Sequence, residues 1–247
     1  MGTTAPLLAP PPLAELLAAR PVALFLDFDG TLVGIAPRPD AIRVPDALAA
    51  KLAGLSDRLD GRLALVSGRA LEDLEAHLGP LAVARAGSHG ADRRRPDGSI
   101  FGSAPSALVD TTVREVEDYA RAQALVFETK AHGCALHYRA HPEAGDNAEG
   151  FMRAIAAREG LAVKTGKCVV ELVHEGADKG GAVRAFMAEP PFAEARPVFL
   201  GDDVTDEDGF AACAGLGGSG VLVGEERATA AQFRLPDIDA VHNWLEL

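Results

Sequence analysis

No stretch of this sequence approaches the roughly 20 consecutive apolar residues that a membrane span requires, so nothing in it points to insertion in a bilayer. Positive charge is scarce. Twenty-four Lys and Arg face 36 Asp and Glu, a net charge of -12. Nucleic-acid binding usually needs a basic face, and this balance argues against it. The same deficit means that a phosphorylated ligand must be drawn in by local cations or a metal, because the field of the whole chain opposes it. Cysteine is scarce too: Cys134, Cys168 and Cys213 are far apart and match no metal-ligand spacing. They read as small buried hydrophobes in a reducing compartment. The start of the chain lacks a basic n-region, and prolines at positions 6 and 10–12 interrupt any signal-like apolar core. The expectation is a cytoplasmic protein.

What is present is ordinary globular material. The 247 residues are 48% hydrophobic and 24% charged, enough for one large domain or a core with a smaller companion. The organising stretch is Leu24-Phe25-Leu26-Asp27-Phe28-Asp29-Gly30-Thr31. Residues 22–26 form a short apolar run, the pattern of a strand buried on both faces of a parallel sheet. Two carboxylates and a glycine follow where the run stops, and the carboxyl end of such a strand is where ligands sit. Acids two residues apart can hold a cation or divide nucleophile and acid/base duties. The bland alternative is a solvated acidic turn.

Elsewhere the chain supplies complementary pieces. Residues 1–11 are Pro/Ala-rich and expected to be poorly ordered, 12–19 could form a short helix, and Arg38 to Val44 is a proline-punctuated connection. A helix is expected from Pro45 to about position 59, with leucines at 48, 52, 55 and 59. A strand over 62–66 ends at Ser67-Gly68-Arg69, and a helix with leucines at 71, 74 and 78 follows, giving a βαβ unit. A third strand spans 81–86, and Asp97-Gly98 predicts a hairpin between 91–95 and 99–101. The rhythm then changes to α-β-β-α-β-β, with the last two strands flanking Thr165-Gly166. That order cannot extend a parallel βαβ sheet. It reads as an α+β cap inserted at 105–175, in a core made of 1–104 and 176–247. The βαβ rhythm resumes with a helix to position 188, a strand at 198–200 and another at 220–223.

Gly201-Asp202-Asp203-Val204-Thr205-Asp206-Glu207-Asp208 packs five acids into its last seven residues. An EF-hand loop would place Val204 and Gly215 at its first and last ligand positions, which excludes it. A merely solvated acidic run is the other rival, but this one follows a buried strand and falls in the layer of Asp27. A lysine at a helix start, such as Lys179, is ordinarily solvated, and a lone Ser-Gly-Arg is ordinarily a turn. Both gain weight from their positions, Ser67 closing a strand and Lys179 standing where the core resumes. Glu128 and Lys130 are two apart on a strand and so share a face. Glu171 is an acid inside Val169-Val170-Glu171-Leu172-Val173, a costly place for a charge without a polar partner. A cross-strand Lys–Glu pair on the cap surface is the plain explanation.

Asp-x-Asp-x-Thr after a first strand, then Ser, Lys and Gly-Asp-Asp, resembles the haloacid dehalogenase (HAD) phosphatase superfamily. Three further segments are similar to one family in it, the trehalose-6-phosphate phosphatases. These are Ala86-Gly87-Ser88-His89-Gly90-Ala91-Asp92; Glu128-Thr129-Lys130 with Leu136-His137-Tyr138-Arg139; and Gly166-Lys167-Cys168-Val169-Val170-Glu171. The resemblance implies an α/β, Rossmann-like parallel-sheet core with an inserted α+β cap, and Mg²⁺-dependent hydrolysis of trehalose 6-phosphate through an aspartyl-phosphate. It implies Asp27 as nucleophile and Asp29 as general acid and then base, positioned by Thr31. Ser67 would bond a phosphoryl oxygen, with Arg69 either in the same layer or in an ion pair. Lys179 would balance charge between Asp27 and the phosphoryl group. The metal ligands implied are Asp27, the Asp29 carbonyl and Asp202, an all-oxygen set suited to Mg²⁺. Asp203 and Asp206 would support them, Asp206 through water or by orienting Lys179. Glu128, Lys130 and Glu171 would bind sugar hydroxyls, and His89 would face the cleft.

Rival readings are another sugar phosphatase, acting on sucrose phosphate or a hexose phosphate, a receiver-like signalling module, and a non-catalytic sugar-phosphate sensor. Receivers place paired acids at the first strand, whereas here they come late. The intact set of Asp27, Asp29, Ser67, Lys179 and Asp202 speaks against a sensor. No motif assigns or excludes a trehalose-phosphate synthase partner.

Overall fold

The apolar run after Pro21 becomes strand β1 (Val22–Leu26), and all of it is buried. A computed structural model describes residues 6–35, 42–102, 106–130, 132–166 and 168–247. It divides into two compact units, Met1–Ala104 with Asp178–Leu247, and Pro105–Ala177. In the first unit β1 lies inside a seven-stranded sheet with β2 (Leu63–Val66), β3 (Ala84–Gly87), β4 (Asp92–Arg94), β9 (Arg196–Gly201), β10 (Ser219–Val223) and β11 (Phe233–Leu235). The order is β11-β10-β9-β1-β2-β3-β4, parallel throughout except for the β3–β4 pair.

Strand alternation divides the side chains between two apolar layers. Leu24 and Leu26 face a leucine-rich layer with α1 (Leu13–Ala19), α2 (Leu48–Arg58), α3 (Leu71–Leu78) and α8 (Ile238–Leu245). Ala23 and Phe25 face a layer with α6 (Lys179–Met187) and α7 (Glu207–Gly215), where Phe25, Phe101, Phe186 and Phe192 cluster. Full burial of one such phenylalanine contributes roughly 1.5–3 kcal/mol. The result is helices on both faces of a mainly parallel sheet, an α/β fold in which every strand beside β1 delivers its carboxyl end to one edge.

The second unit holds α4 (Asp110–Ala122), β5 (Val126–Lys130), β6 (Gly133–His137), α5 (Gly145–Glu159), β7 (Leu161–Gly166) and β8 (Val169–His174). Its antiparallel sheet has the order β5-β6-β8-β7. One face packs on α4 and α5 through Cys134, Leu136, Val170, Leu172, Val116 and Met152.

Several expectations need correction. The segment 6–11 is held rather than loose: Leu8 accepts from the Arg234 amide at 2.9 Å and Pro11 from Trp244 Nε1 at 2.8 Å, while residues 1–5 lie outside the described set. Of the Arg38 to Val44 connection, 38–41 also lie outside it. Pro45 does not open α2, because Ala47 turns left-handed (φ 65°) and the helix starts at Leu48. Thr165 and Gly166 belong to β7 rather than to the turn after it, and Lys167, the next residue, is outside the described residues. The hairpin across Asp97-Gly98 is short, with one bridge, Arg94 to Ile100, opposite β4. Among the described residues, no helix is long and apolar enough to cross a membrane.

Candidate active site

Three strand ends and one helix start assemble the site. Asp27 follows β1, Ser67 follows β2, Asp202 follows β9, and Lys179 is the first residue of α6. The ladder runs on one step past β1, with the Asp27 amide on the Leu200 carbonyl at 2.9 Å. Asp178 starts α6 as an N-cap, accepting from the Gly181 amide at 2.6 Å, which buries Lys179 in the first turn.

Lys179 Nζ donates to Asp27 Oδ1 and to Asp206 Oδ1, both at 2.6 Å. The three side chains are only 3%, 5% and 0% exposed, so these bonds operate away from water. Asp206 is locked by its own loop, where its Oδ2 accepts from the Asp203 amide at 2.9 Å and Asp203 Oδ1 accepts from the Val204 amide at 2.7 Å. Gly201 is needed here, because a Cβ would run into the Asp206 carboxyl group. Gly30 (φ 83°) is needed for two reasons: its backbone is left-handed, and a Cβ would meet the Asp202 carboxylate.

Thr31 does not position Asp29. Its hydroxyl lies 3.4 Å from Asp27 Oδ2 and 3.4 Å from Asp202 Oδ1, so it bridges the buried Asp27 and the half-buried Asp202. Asp29 is held by Arg69, whose Nε and Nη2 reach its two oxygens at 2.6 and 2.8 Å, while Nη1 reaches Asp73 at 2.5 Å. Of the two roles open to Arg69, the structure shows the ion pair. Ser67 Oγ accepts from the Arg69 amide at 3.1 Å, which tightens the Ser-Gly-Arg turn. Ser88 and His89 are both left-handed (φ 49° and 57°). Their amides donate to the Arg69 carbonyl at 2.7 Å and the Ser67 carbonyl at 2.9 Å, stitching one loop to the other. The imidazole lies across Gly68, where a Cβ would stand 2.7 Å from its Cε1. Asp27, Asp29, Ser67, Arg69, His89 and Lys179 all line one cleft of about 590 Å³.

Glu128, Lys130 and Glu171 belong to the second unit. The register Glu128–Ala135–Glu171–Lys164 places them on the sheet face opposite its apolar layer. Lys130 pairs with Glu171, the plain cross-strand pairing, and His137 Nε2 meets Glu128 at 2.7 Å. Sequence reasoning misses two contributors to the first unit. Arg227 grips the acidic loop from the segment after β10, and His242 Nε2 meets the Leu32 carbonyl at 2.9 Å. Spacing could have revealed α8, since Asp237 caps it and Val241 and Leu245 share its inner face. Arg227, in an irregular loop, carries no such signal.

Electrostatics show what the pocket can hold. Burial pushes Asp27 up to about 6 against the pull of Lys179. Burial and then Asp206 push Asp202 up to about 6, and burial and then Asp27 push Asp206 up to about 7. Burial alone would lower Lys179, but Asp27 and Asp206 hold it above the ordinary lysine range. One carboxylate oxygen from each of Asp27, Asp202 and Asp206 lies within 4.8 Å of the others. Three carboxylates against one ammonium leave two negative charges uncompensated, and the donors are all oxygen. The residues therefore fit a hard divalent cation.

The pH dependence follows from these shifts. A carboxyl whose folded pKa is raised keeps its proton in the native state after the unfolded chain has lost it. The stability this gives is full below about 4 and disappears as pH rises through about 6 to 7. For Asp27 alone the loss is about 3 kcal/mol. Metal-free protein should therefore unfold at lower temperature at pH 7.5 than at pH 5, and a divalent cation should close much of that gap. Thermal unfolding in EDTA and in excess Mg²⁺ checks this, and equal melting at both pH values in EDTA would contradict it.

Comparison with known proteins finds relatives over most of the chain. The family model described as trehalose-phosphatase matches residues 25–239. The trehalose-6-phosphate phosphatase of Escherichia coli K12 is 41% identical over 228 residues, covering 91% of this chain and 85% of that protein. A structure of Aspergillus fumigatus trehalose-6-phosphate phosphatase superposes with a TM-score of 0.73 at 25% identity, over 95% of this chain and 94% of that one. A HAD-superfamily phosphatase from Bacteroides thetaiotaomicron shares the fold, with a TM-score of 0.65 at 15% identity over 100% of this chain and 98% of that one.

Proposed function

This chain belongs to the trehalose-phosphatase family, enzymes that hydrolyse phosphoric monoesters, and we propose that it converts trehalose 6-phosphate to trehalose and phosphate through an aspartyl-phosphate on Asp27, with Mg²⁺ as the cation. The observation that carries this reading is a pair of carboxylates two residues apart in one cleft, one buried against Lys179 and the other held by Arg69.

Asp27 attacks phosphorus, and the bond from phosphorus to the sugar oxygen breaks. Asp29 lets go one of its bonds to Arg69 and takes up a proton from solvent, and it passes that proton to the departing alkoxide. Asp29, now ionised, takes a proton from water, whose oxygen attacks phosphorus and frees Asp27. Lys179 keeps Asp27 ionised, and with Ser67 it stabilises the phosphoryl oxygens. Asp27 and Asp202, with the Asp29 carbonyl, would hold the Mg²⁺, which supplies further positive charge to the phosphoryl oxygens. Asp203 and Asp206 support the cation loop and Lys179.

We assign the sugar to Glu128, Lys130 and Glu171, with His89 beside the phosphate cleft. Support comes from the charged, partly exposed sheet face on which the three stand. On this reading the second unit is a cap that selects the substrate and is separable from the chemistry. Loss of one such contact costs about 1–3 kcal/mol. Glu171→Ala should therefore lower kcat/KM for trehalose 6-phosphate roughly 5–150-fold, and leave hydrolysis of p-nitrophenyl phosphate nearly unchanged. Phosphate release from trehalose 6-phosphate, sucrose 6-phosphate and glucose 6-phosphate tests the whole reading. Preference for either of the latter would replace the substrate, and an unchanged ratio in Glu171→Ala would reduce that residue to cap stability.

A further inference from the structure

We propose that Arg227 is a positioning residue of the cation site, fixing the backbone from which the Asp202 carboxylate projects. The inference rests on the assignment of Asp202 as a cation ligand. Asp202 and Asp206 are held in different ways. Asp206 is gripped at both carboxylate oxygens, by Lys179 and by the Asp203 amide. The Asp202 side chain has the Thr31 hydroxyl at a long 3.4 Å and its contact with Asp27, another acid. Its direction therefore depends on its main chain, and Arg227 holds that main chain. Arg227 Nη2 donates to the Asp203 carbonyl at 2.7 Å and reaches the Asp202 carbonyl at 3.4 Å.

The guanidinium is itself fixed. Its Nη1 pairs with Glu207 and donates to the Ala228 carbonyl at 3.1 Å. The other Glu207 oxygen accepts from the Ala230 amide at 2.7 Å, so the segment after β10 is strapped to the first turn of α7. One planar fork thus spans the acidic loop, the helix behind it and its own strap. A lysine, a single point donor, cannot make that set of bonds. Groups that orient a metal ligand from behind typically change metal affinity 10–100-fold when removed.

The test is Mn²⁺ binding to metal-free protein, followed by the paramagnetic resonance of the free ion, with melting in EDTA measured alongside. Arg227→Met should raise the Mn²⁺ dissociation constant about tenfold or more. Arg227→Lys should raise it less, and melting in EDTA should hardly move. The Mg²⁺ concentration for half-maximal phosphatase activity should rise in step, with kcat at saturating Mg²⁺ largely kept. If Arg227→Met does not fold, Arg227→Lys carries the test. A dissociation constant within about twofold of wild type in the folded variants, with Asp202→Asn strongly weakened, overturns the role of Arg227 and leaves the cation site standing. If Asp202→Asn also binds Mn²⁺ like wild type, the assignment of the cation site fails and this inference falls with it.

Discussion

Asp27→Asn should abolish turnover of trehalose 6-phosphate, with a loss on the order of 10⁵-fold or more, the scale seen when a covalent nucleophile is removed. An amide oxygen is a poor nucleophile and would leave no acyl phosphate to hydrolyse. The fold should survive the change. Lys179 keeps Asp206 as a partner at 2.6 Å, and the amide oxygen can still accept the bond that Asp27 Oδ1 accepts now. The substitution also removes one of the two buried carboxylates that share one ammonium, with the Asp202 carboxylate close to both. In EDTA at neutral pH the variant should therefore be at least as stable as wild type, although it is inactive. Acid-quenched protein should carry phosphate on Asp27 in the wild type and none in the variant. Appreciable turnover in a variant of unchanged stability would rule out the aspartyl-phosphate route.

Much of the first unit is legible in the sequence because buried parallel strands leave a plain trace. Val22–Leu26, Leu63–Val66 and the end of Arg196–Gly201 are apolar runs that stop abruptly at Asp27, Ser67 and Asp202. Their common layer follows from that pattern alone. Partner choice within the layer does not. Arg69 and Asp29 are forty positions apart, and nothing in spacing says that the guanidinium takes this carboxylate while Thr31 takes two others. β11 escapes notice because it is three residues long with an arginine in the middle. Arg227 escapes because its work is done on main-chain carbonyls, which carry no residue identity. In the second unit, alternation places Glu128 and Lys130 on one face, and only the register across β6 adds Glu171 to it. The turn between β7 and β8 is misplaced by the glycine at 166, which the strand absorbs as its last residue.

Lys179→Met should destabilise the metal-free protein by about 3–5 kcal/mol at pH 7.5, the range for breaking a buried ion pair from one side. Methionine keeps most of the volume and the helical preference, so packing around α6 is nearly conserved and the change is mainly one of charge. Without the ammonium, Asp27 and Asp206 face each other with no cation between them, and both are already raised by burial. Their remaining relief is protonation. Both carboxyls should titrate above their wild-type values of about 6 and 7, so the deficit should shrink as pH falls towards 5. A divalent cation held by Asp27 and Asp202 should restore part of the loss at pH 7.5, since it brings charge to the same acids. Turnover should fall roughly 10²–10³-fold even at saturating Mg²⁺, because a fixed positive group beside the phosphoryl oxygens is gone. Urea unfolding in EDTA at pH 5 and pH 7.5 separates charge from packing. An equal loss at both pH values would assign the effect to packing around α6. A loss below about 1 kcal/mol at pH 7.5 would mean that the acids are relieved by other groups, and that Lys179 does not hold this cluster together.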